Sequence, residues 1–174
     1  PFELNPDMGP DGQDIGEHLA QKYGAPPEQT RQTQAAIAAR GAALGFTFSD
    51  RRTRIYNTFD AHRLLHWLQE QGTPAQQRAL QHALLKAYFT DGQNPGDASV
   101  LLHLVREVGC DEERARAVLE SDEYAAAVRE REALYQGQGI HSVPAVIVNE
   151  RHLIQGGQPV EVFEQALRQI AAGA

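Results

Sequence analysis

The chain has 174 residues, 41% hydrophobic and 22% charged, an ordinary composition for one good core or a small domain with an insertion. A formal net charge of −7, with no Lys/Arg cluster beyond Arg51, Arg52 and Arg54, argues against nucleic acid as a partner, since phosphate binding needs a basic face. The single cysteine, Cys110, excludes an internal disulfide and a zinc site built from several thiolates. No apolar run approaches the roughly eighteen residues of a membrane span, and no charged-then-apolar leader precedes the first element. The expectation is therefore a soluble, cytoplasmic protein, from a sequence that starts at Pro1 and not at Met.

In chain order, Pro1–Leu4 has the pattern of a strand. Asp14–Tyr23 places Ile15, His18, Leu19 and Lys22 at helical spacing and closes on Gly24 as C-cap. Pro26-Pro27 opens a second helix, rich in Ala and Gln, that runs to Gly45 with Ile37, Ala38 and Leu44 as its buried positions. Phe46–Ser49 and Asp50–Arg54 read as loop with a short extended piece, the basic run lying on its solvated surface. A polar cap at Asn57 or Thr58 leads into a strongly periodic helix through Phe59, His62, Arg63, Leu65, His66 and Leu68, ended by Gly72.

Thr73-Pro74-Ala75-Gln76 is a helix start: a Thr cap, Pro at the first helical position, and a Gln placed to bond back to the cap. That helix continues through Leu80, Leu84, Ala87 and Tyr88 and stops at Asp91-Gly92. Asp97 caps the next, with Val100, Leu101, Leu104, Val105 and Val108 inward and Gly109 closing it. Asp111 caps a short helix ending near Glu120. Ser121 caps a longer one, with Tyr124, Val128 and Tyr135 on the packed side, Arg129, Glu130, Arg131 and Glu132 on the wet side, and Gly137 and Gly139 at its end. Ala145–Val148, a turn at Asn149-Glu150-Arg151 and His152–Ile154 make a β-hairpin, followed by Gly156-Gly157 and a last helix from Pro159.

β-type pattern thus occurs only at the two ends, around a helical block, which is the layout of an inserted domain in an α/β protein. His62 and His66 stand four apart, a spacing that lets two imidazoles share a metal. The intervening Arg63-Leu64-Leu65 lacks the acid of a His-Glu-x-x-His helix, and no third ligand is placed nearby, so no metal is assigned. Cys110, at a helix junction, reads as a small packed residue: it has no partner cysteine, and Asp111, Glu112 and Glu113 would raise its pKa. Asn5-Pro6-Asp7 either borders a cleft or simply makes a turn.

Gly139-Ile140-His141-Ser142-Val143-Pro144-Ala145-Val146, with Gly156-Gly157-Gln158-Pro159 and Phe163-x-x-Ala166-Leu167 after it, resembles the C-terminal part of DsbA-like thiol oxidoreductases. Pro1-Phe2-Glu3-Leu4-Asn5-Pro6-Asp7-Met8 and Asn57-Thr58-Phe59-Asp60-Ala61-His62-Arg63-Leu64 resemble the FrnE branch of that family. The resemblance implies a thioredoxin-like α/β fold of DsbA type with a large all-helical inserted domain. Residues 1–12 and 139–174 would belong to the thioredoxin-like domain, and 13–138 to the helical insertion with its connecting helix back to the sheet.

Family members open on a strand and a helix whose N-terminus carries Cys-x-x-Cys, where the helix dipole lowers a thiol pKa. Residues 1–174 lack that first strand and helix: Pro1 aligns with the second strand, and the dithiol is expected upstream of it. The missing strand would lie between Pro1–Leu4 and Ala145–Val148, so a monomer beginning at Pro1 would leave unpaired peptide groups on both, each costing about 1–3 kcal/mol if buried. The resemblance also implies a cis peptide at Val143-Pro144, with Ser142 in the same loop and the backbone of Val143 pairing with an extended substrate. His62, beside Asn57, would line the substrate cleft, against the plainer reading of a capping Asn and a hydrogen-bonded helix His. Asn5 would border the same cleft.

By resemblance, the protein is a protein disulfide oxidoreductase that exchanges disulfides with protein or small thiol substrates, although residues 1–174 without the dithiol would be inactive. It would need no cofactor, glutathione entering only as a thiol substrate. Its partners would be thiol- or disulfide-bearing molecules, neither nucleic acid nor membrane, with a homodimer left open. One alternative is the related glutathione-dependent branch, the 2-hydroxychromene-2-carboxylate isomerases and kappa-class transferases, in which a Ser replaces the dithiol. The other is a non-catalytic binding or chaperone-like module.

Overall fold

The computed structural model describes residues 1–24 and 26–173, which fall into two compact units. Pro1 and Glu3–Val128 form the first; Phe2 and the residues from Arg129 onward form the second. Of residues 1–12, which the sequence groups with the C-terminal segment, Phe2 alone is placed there.

The first unit runs β1 (Gln13–Asp14), α1 (Ile15–Tyr23), α2 (Pro27–Ala43), β2 (Arg54–Ile55), α3 (Phe59–Gln71), α4 (Pro74–Phe89), α5 (Ala98–Glu107) and α6 (Glu112–Leu119), and ends inside α7 (Ala125–Gly137). Its core is helix on helix. Leu64, Trp67 and Leu68 of α3 meet Leu80, Leu84 and Ala87 of α4, Leu101 and Val105 of α5, and Ala115 and Val118 of α6. Each fully buried Leu or Val contributes about 1.5–3 kcal/mol relative to exposure. The helix starts follow local chemistry. Asp14 accepts from Gly16 and Glu17 N–H, Asp97 from Ser99 and Val100 N–H, and Asp111 from Arg114 N–H, while Thr73 and Gln76 form a reciprocal capping box. β1 and β2 pair antiparallel, Gln13 opposite Ile55 and Asp14 opposite Arg54. Gly12 makes this pairing fit: its φ is 66°, and a Cβ there would stand 2.3 Å from the Ile55 carbonyl oxygen.

Four expectations are corrected here. Pro1–Leu4 is not a strand, because a strand needs a ladder with a neighbouring strand and the segment joins neither the β1–β2 nor the β3–β4 pairing. Ile37 and Leu44 are exposed, at 46% and 87%, and Ala38 is half-buried: α2 packs through small residues, with Gly41 drawn so close to Phe48 that a Cβ would clash at 2.5 Å. Ser121 does not cap α7, which starts at Ala125; its hydroxyl instead donates to the Ala117 carbonyl at the end of α6, and Tyr124 turns the chain with a φ of 62°. Glu132, expected on the wet side, is 5% exposed and paired with Arg129 at 2.8 Å.

The second unit holds the rest of α7, the hairpin β3 (Ala145–Val148) and β4 (His152–Gln155), and α8 (Val160–Ala172). β3 and β4 pair antiparallel with Ala145 opposite Gln155 and Val148 opposite His152. Asn149 and Glu150 both take positive φ, 53° and 57°, as the central residues of a I′ turn do, and Arg151 N–H closes the loop on the Val148 carbonyl at 3.2 Å. Among the described residues no helix is long and apolar enough to cross a membrane.

Candidate functional site

In the second unit, α7 ends through Gly139, whose φ of 80° turns the chain out of the helix, and Ile140 anchors the exit. Ile140 is 4% exposed and its N–H returns to the Tyr135 carbonyl at 3.1 Å. His141, Ser142, Val143 and Pro144 then run exposed into β3. The Val143–Pro144 peptide bond is cis. The Pro144 carbonyl accepts from Gly156 N–H at 2.8 Å, which extends the ladder one pair beyond Ala145 and Gln155. Val143 itself lies beyond this ladder, outside β3. Among the described residues nothing hydrogen-bonds to the Val143 N–H or C=O, and the residue is 44% exposed. The loop therefore leaves one donor, one acceptor and a short apolar side chain exposed.

Asn57, His62 and Asn5 belong to the first unit. Asn57 has two structural bonds: its Oδ1 accepts from Phe59 N–H at 2.8 Å, and its Nδ2 donates to the Met8 carbonyl at 3.3 Å. It starts α3 in place of Thr58, whose side chain makes no capping bond. His62, one turn later, opens on a cleft of about 190 Å³ that it shares with Pro1, His66 and Gln77. Asn5 lies in a separate cleft of about 570 Å³ with Pro6, Met8, His18 and Lys22, and its Oδ1 accepts from the Lys22 ammonium at 2.8 Å. There, burial and then the Lys22 charge hold the His18 imidazole below the usual histidine value. Of the three residues expected to share a cleft, Asn5 and His62 thus line different ones, and Asn57 lines neither.

His66 is packed, 7% exposed, with its ring edge-on to Tyr124 and its Nε2 3.9 Å from Glu70. Its Nδ1 is buried without a hydrogen-bond partner. Among the described residues no group of three or more His, Cys, Asp or Glu side chains is placed to hold a metal ion. Burial pushes the Cys110 thiol up, away from the thiolate that attacks disulfides. The neighbouring acids, expected to do this, are engaged elsewhere: Asp111 caps α6, and Glu112 pairs with Arg106 at 3.3 Å and Arg116 at 2.9 Å.

Two arginines carry more than their sequence context suggests. Arg63, one of a periodic series, is buried. Arg52, read as part of a solvated run, lies with its guanidinium 4.7 Å from the centre of the Tyr88 ring and 4.9 Å from that of Phe89. The adjacent aromatic pair Tyr88-Phe89 at the end of α4 is the signal that would have found this contact.

A helix-rich chain that ends in a loop, a hairpin and a helix, the loop opening on a cis-proline, defines a thioredoxin-fold protein of DsbA type. Residues 1–168 match the family model of the DSBA-like thioredoxin domain, and the chain belongs to that family. A probable DsbA oxidoreductase from Streptomyces coelicolor superimposes with a TM-score of 0.89 at 34% identity, covering 99% of this chain and 74% of that one. A structure from Nitrosomonas europaea, described as a putative protein disulfide isomerase, shares the fold with a TM-score of 0.65 at 18% identity, covering 90% of this chain and 88% of that one. The uncharacterized protein YwbO of Bacillus subtilis is 33% identical over 87 residues, 48% of this chain and 42% of YwbO, so the match spans under half of that relative.

Proposed function

We propose that the protein serves thiol–disulfide exchange as the client-binding part of a DsbA-type oxidoreductase of the FrnE branch. The observation that carries this reading is the exposed, unengaged peptide of Val143 at the head of the β3–β4 hairpin, in a chain of this family. An extended client would add to that peptide through backbone hydrogen bonds, gaining affinity with little side-chain selectivity. Ser142 and Pro144 would shape the approach. The FrnE assignment rests on the runs from Pro1 to Met8 and from Asn57 to Leu64.

Residues 1–174 contain one cysteine, so the reacting pair of sulfurs would come from outside them. Its thiolate would attack a client disulfide, forming a mixed disulfide and releasing one client thiolate. The second thiol would then displace the client as its second thiolate and leave the enzyme disulfide, which two molecules of a thiol such as glutathione would return to the dithiol, themselves leaving as glutathione disulfide. The test is insulin disulfide reduction by the full gene product with glutathione as reductant. Turnover is expected, and its absence overturns the catalytic reading. A companion measurement follows the Val143 amide in ¹⁵N-labelled protein as an oxidised, unfolded peptide is added; a signal that does not move removes Val143 from client binding.

A second reading, a non-catalytic binding module, is favoured by the lone cysteine with its raised thiol. Client binding without turnover by the full gene product would establish it.

A further inference from the structure

A cavity of about 750 Å³ in the first unit lies between α1, α2, the segment leading into β2, and the end of α4. It is separate from both clefts that hold Asn5 and His62, and its volume falls in the range of small-molecule pockets, about 300–1,000 Å³. Its apolar lining includes Ile15, Ile37, Ala38, Phe48 and Phe89. The aromatic wall is preformed: Phe46, Phe48 and Phe89 stand edge-to-face in series at 4.9 and 5.3 Å, and Gly41 lets α2 close against Phe48. Ile37, an apolar side chain that α2 leaves 46% exposed, belongs to the same lining.

One cation in the lining has no anion. Arg52 is held over Tyr88 and Phe89, its Nε is buried without a hydrogen-bond partner, and among the described residues no carboxylate pairs with it. Tyr88 does not neutralise it, since burial pushes that phenol up and its hydroxyl donates to the Arg54 carbonyl at 3.0 Å. The other charged residues of the lining are accounted for. Arg31 is paired with Glu28, and Asp14 is committed to the N-terminus of α1. Asp50 is exposed and makes no ion pair with Arg52. A guanidinium offers paired N–H donors in a fork that matches a carboxylate, and the fork is strongest where water is excluded.

We propose that this cavity binds a monocarboxylic acid with an apolar body, the carboxylate meeting Arg52 and the hydrocarbon lying along Ile37, Ala38, Phe48 and Phe89. The site is independent of Val143 and of any sulfur chemistry.

The test uses decanoate below its micellar range, with ¹³C at the carboxyl, and decanol as the neutral counterpart, titrated into the wild-type protein, Arg52→Gln and Ala38→Trp. Decanoate is expected to saturate one site and to bind at least about tenfold more tightly than decanol, the margin of a charge-assisted hydrogen bond. Arg52→Gln should bring decanoate down to the level of decanol, and Ala38→Trp, which fills the cavity, should weaken both. Equal affinities of decanoate and decanol for the wild type, decanoate binding that survives Arg52→Gln, or binding indifferent to Ala38→Trp would each overturn the assignment. Should Arg52→Gln fail to fold by circular dichroism, the wild-type comparison and the Ala38→Trp titration decide the matter.

Discussion

Asp60 and Arg63, one turn apart on α3, form a 2.8 Å ion pair in which the cation is 6% exposed and the anion 40%. The same guanidinium donates to the Val118 and Ser121 carbonyls and, at 3.0 Å through Nε, to the Glu123 carbonyl. It therefore closes the end of α6 and the turn into α7 against α3. Arg63→Met should cost about 3–5 kcal/mol, because it strands those carbonyls as well as breaking the pair. Asp60→Asn should cost only about 1 kcal/mol, since water reaches the acid and the carbonyls still hold the arginine. Urea midpoints of the two variants check this asymmetry, and equal losses would refute it.

Asn57 is the second case in which geometry separates neighbours. Its side chain makes both the capping bond to Phe59 and the tie to Met8, whereas the Thr58 hydroxyl makes no capping bond. Asn57→Ala should lower stability by about 1–2 kcal/mol, the range of a lost cap, and Thr58→Ala by about 0.5 kcal/mol or less. Thermal unfolding of the pair distinguishes them. A silent Asn57→Ala would refute the capping role.

Asp97 gives a pH-dependent signal. Bonds from the Ser99 side chain and from the Ser99 and Val100 N–H groups hold its carboxyl below the ordinary value of 3.8. The folded pKa is depressed, so the stabilisation is complete above the unfolded value and is lost as pH falls through the folded one. Asp97→Asn keeps a capping oxygen and removes only the charge. The wild type should be more stable by about 0.3–1 kcal/mol at neutral pH, and the gap should close as the pH falls below 3.8. A gap that persists in acid would show that the carboxylate charge is not the source.

Cys110 should react slowly. With its thiol pushed up by burial, iodoacetamide at neutral pH should alkylate the native protein several-fold more slowly than the urea-unfolded chain. Equal rates would mean that the thiol is neither shielded nor raised, and would reopen a redox role for it.

Much of the helical block is legible in the sequence because its signals are local. Thr73 to Gln76 writes its own capping box, and Asp97 and Asp111 stand where their helices start. The hairpin is legible for the same reason, through its apolar run and the turn at Asn149 and Glu150. What depends on distant residues is not. Pro1–Leu4 has the composition of a strand, but pairing is decided by a neighbour. Ile37 keeps helical apolar spacing, yet burial is decided by what packs on it. Arg52 and Arg63 show the converse: charged residues in polar-looking stretches are drawn inward by aromatic rings or carbonyls that approach only when the chain folds. At the site, the Val143 loop is visible from its motif, whereas the separation of Asn5 from His62 is a matter of tertiary geometry.

For the client-binding role proposed for Val143, the isolation of its one unengaged residue limits the grip. A lone residue supplies at most two main-chain bonds, together about 1–3 kcal/mol net. A hold that light gives a short residence time, so a captured polypeptide would stay only while its sulfur is tethered and would depart once the tether breaks. The loop would then act as a brief jig for alignment.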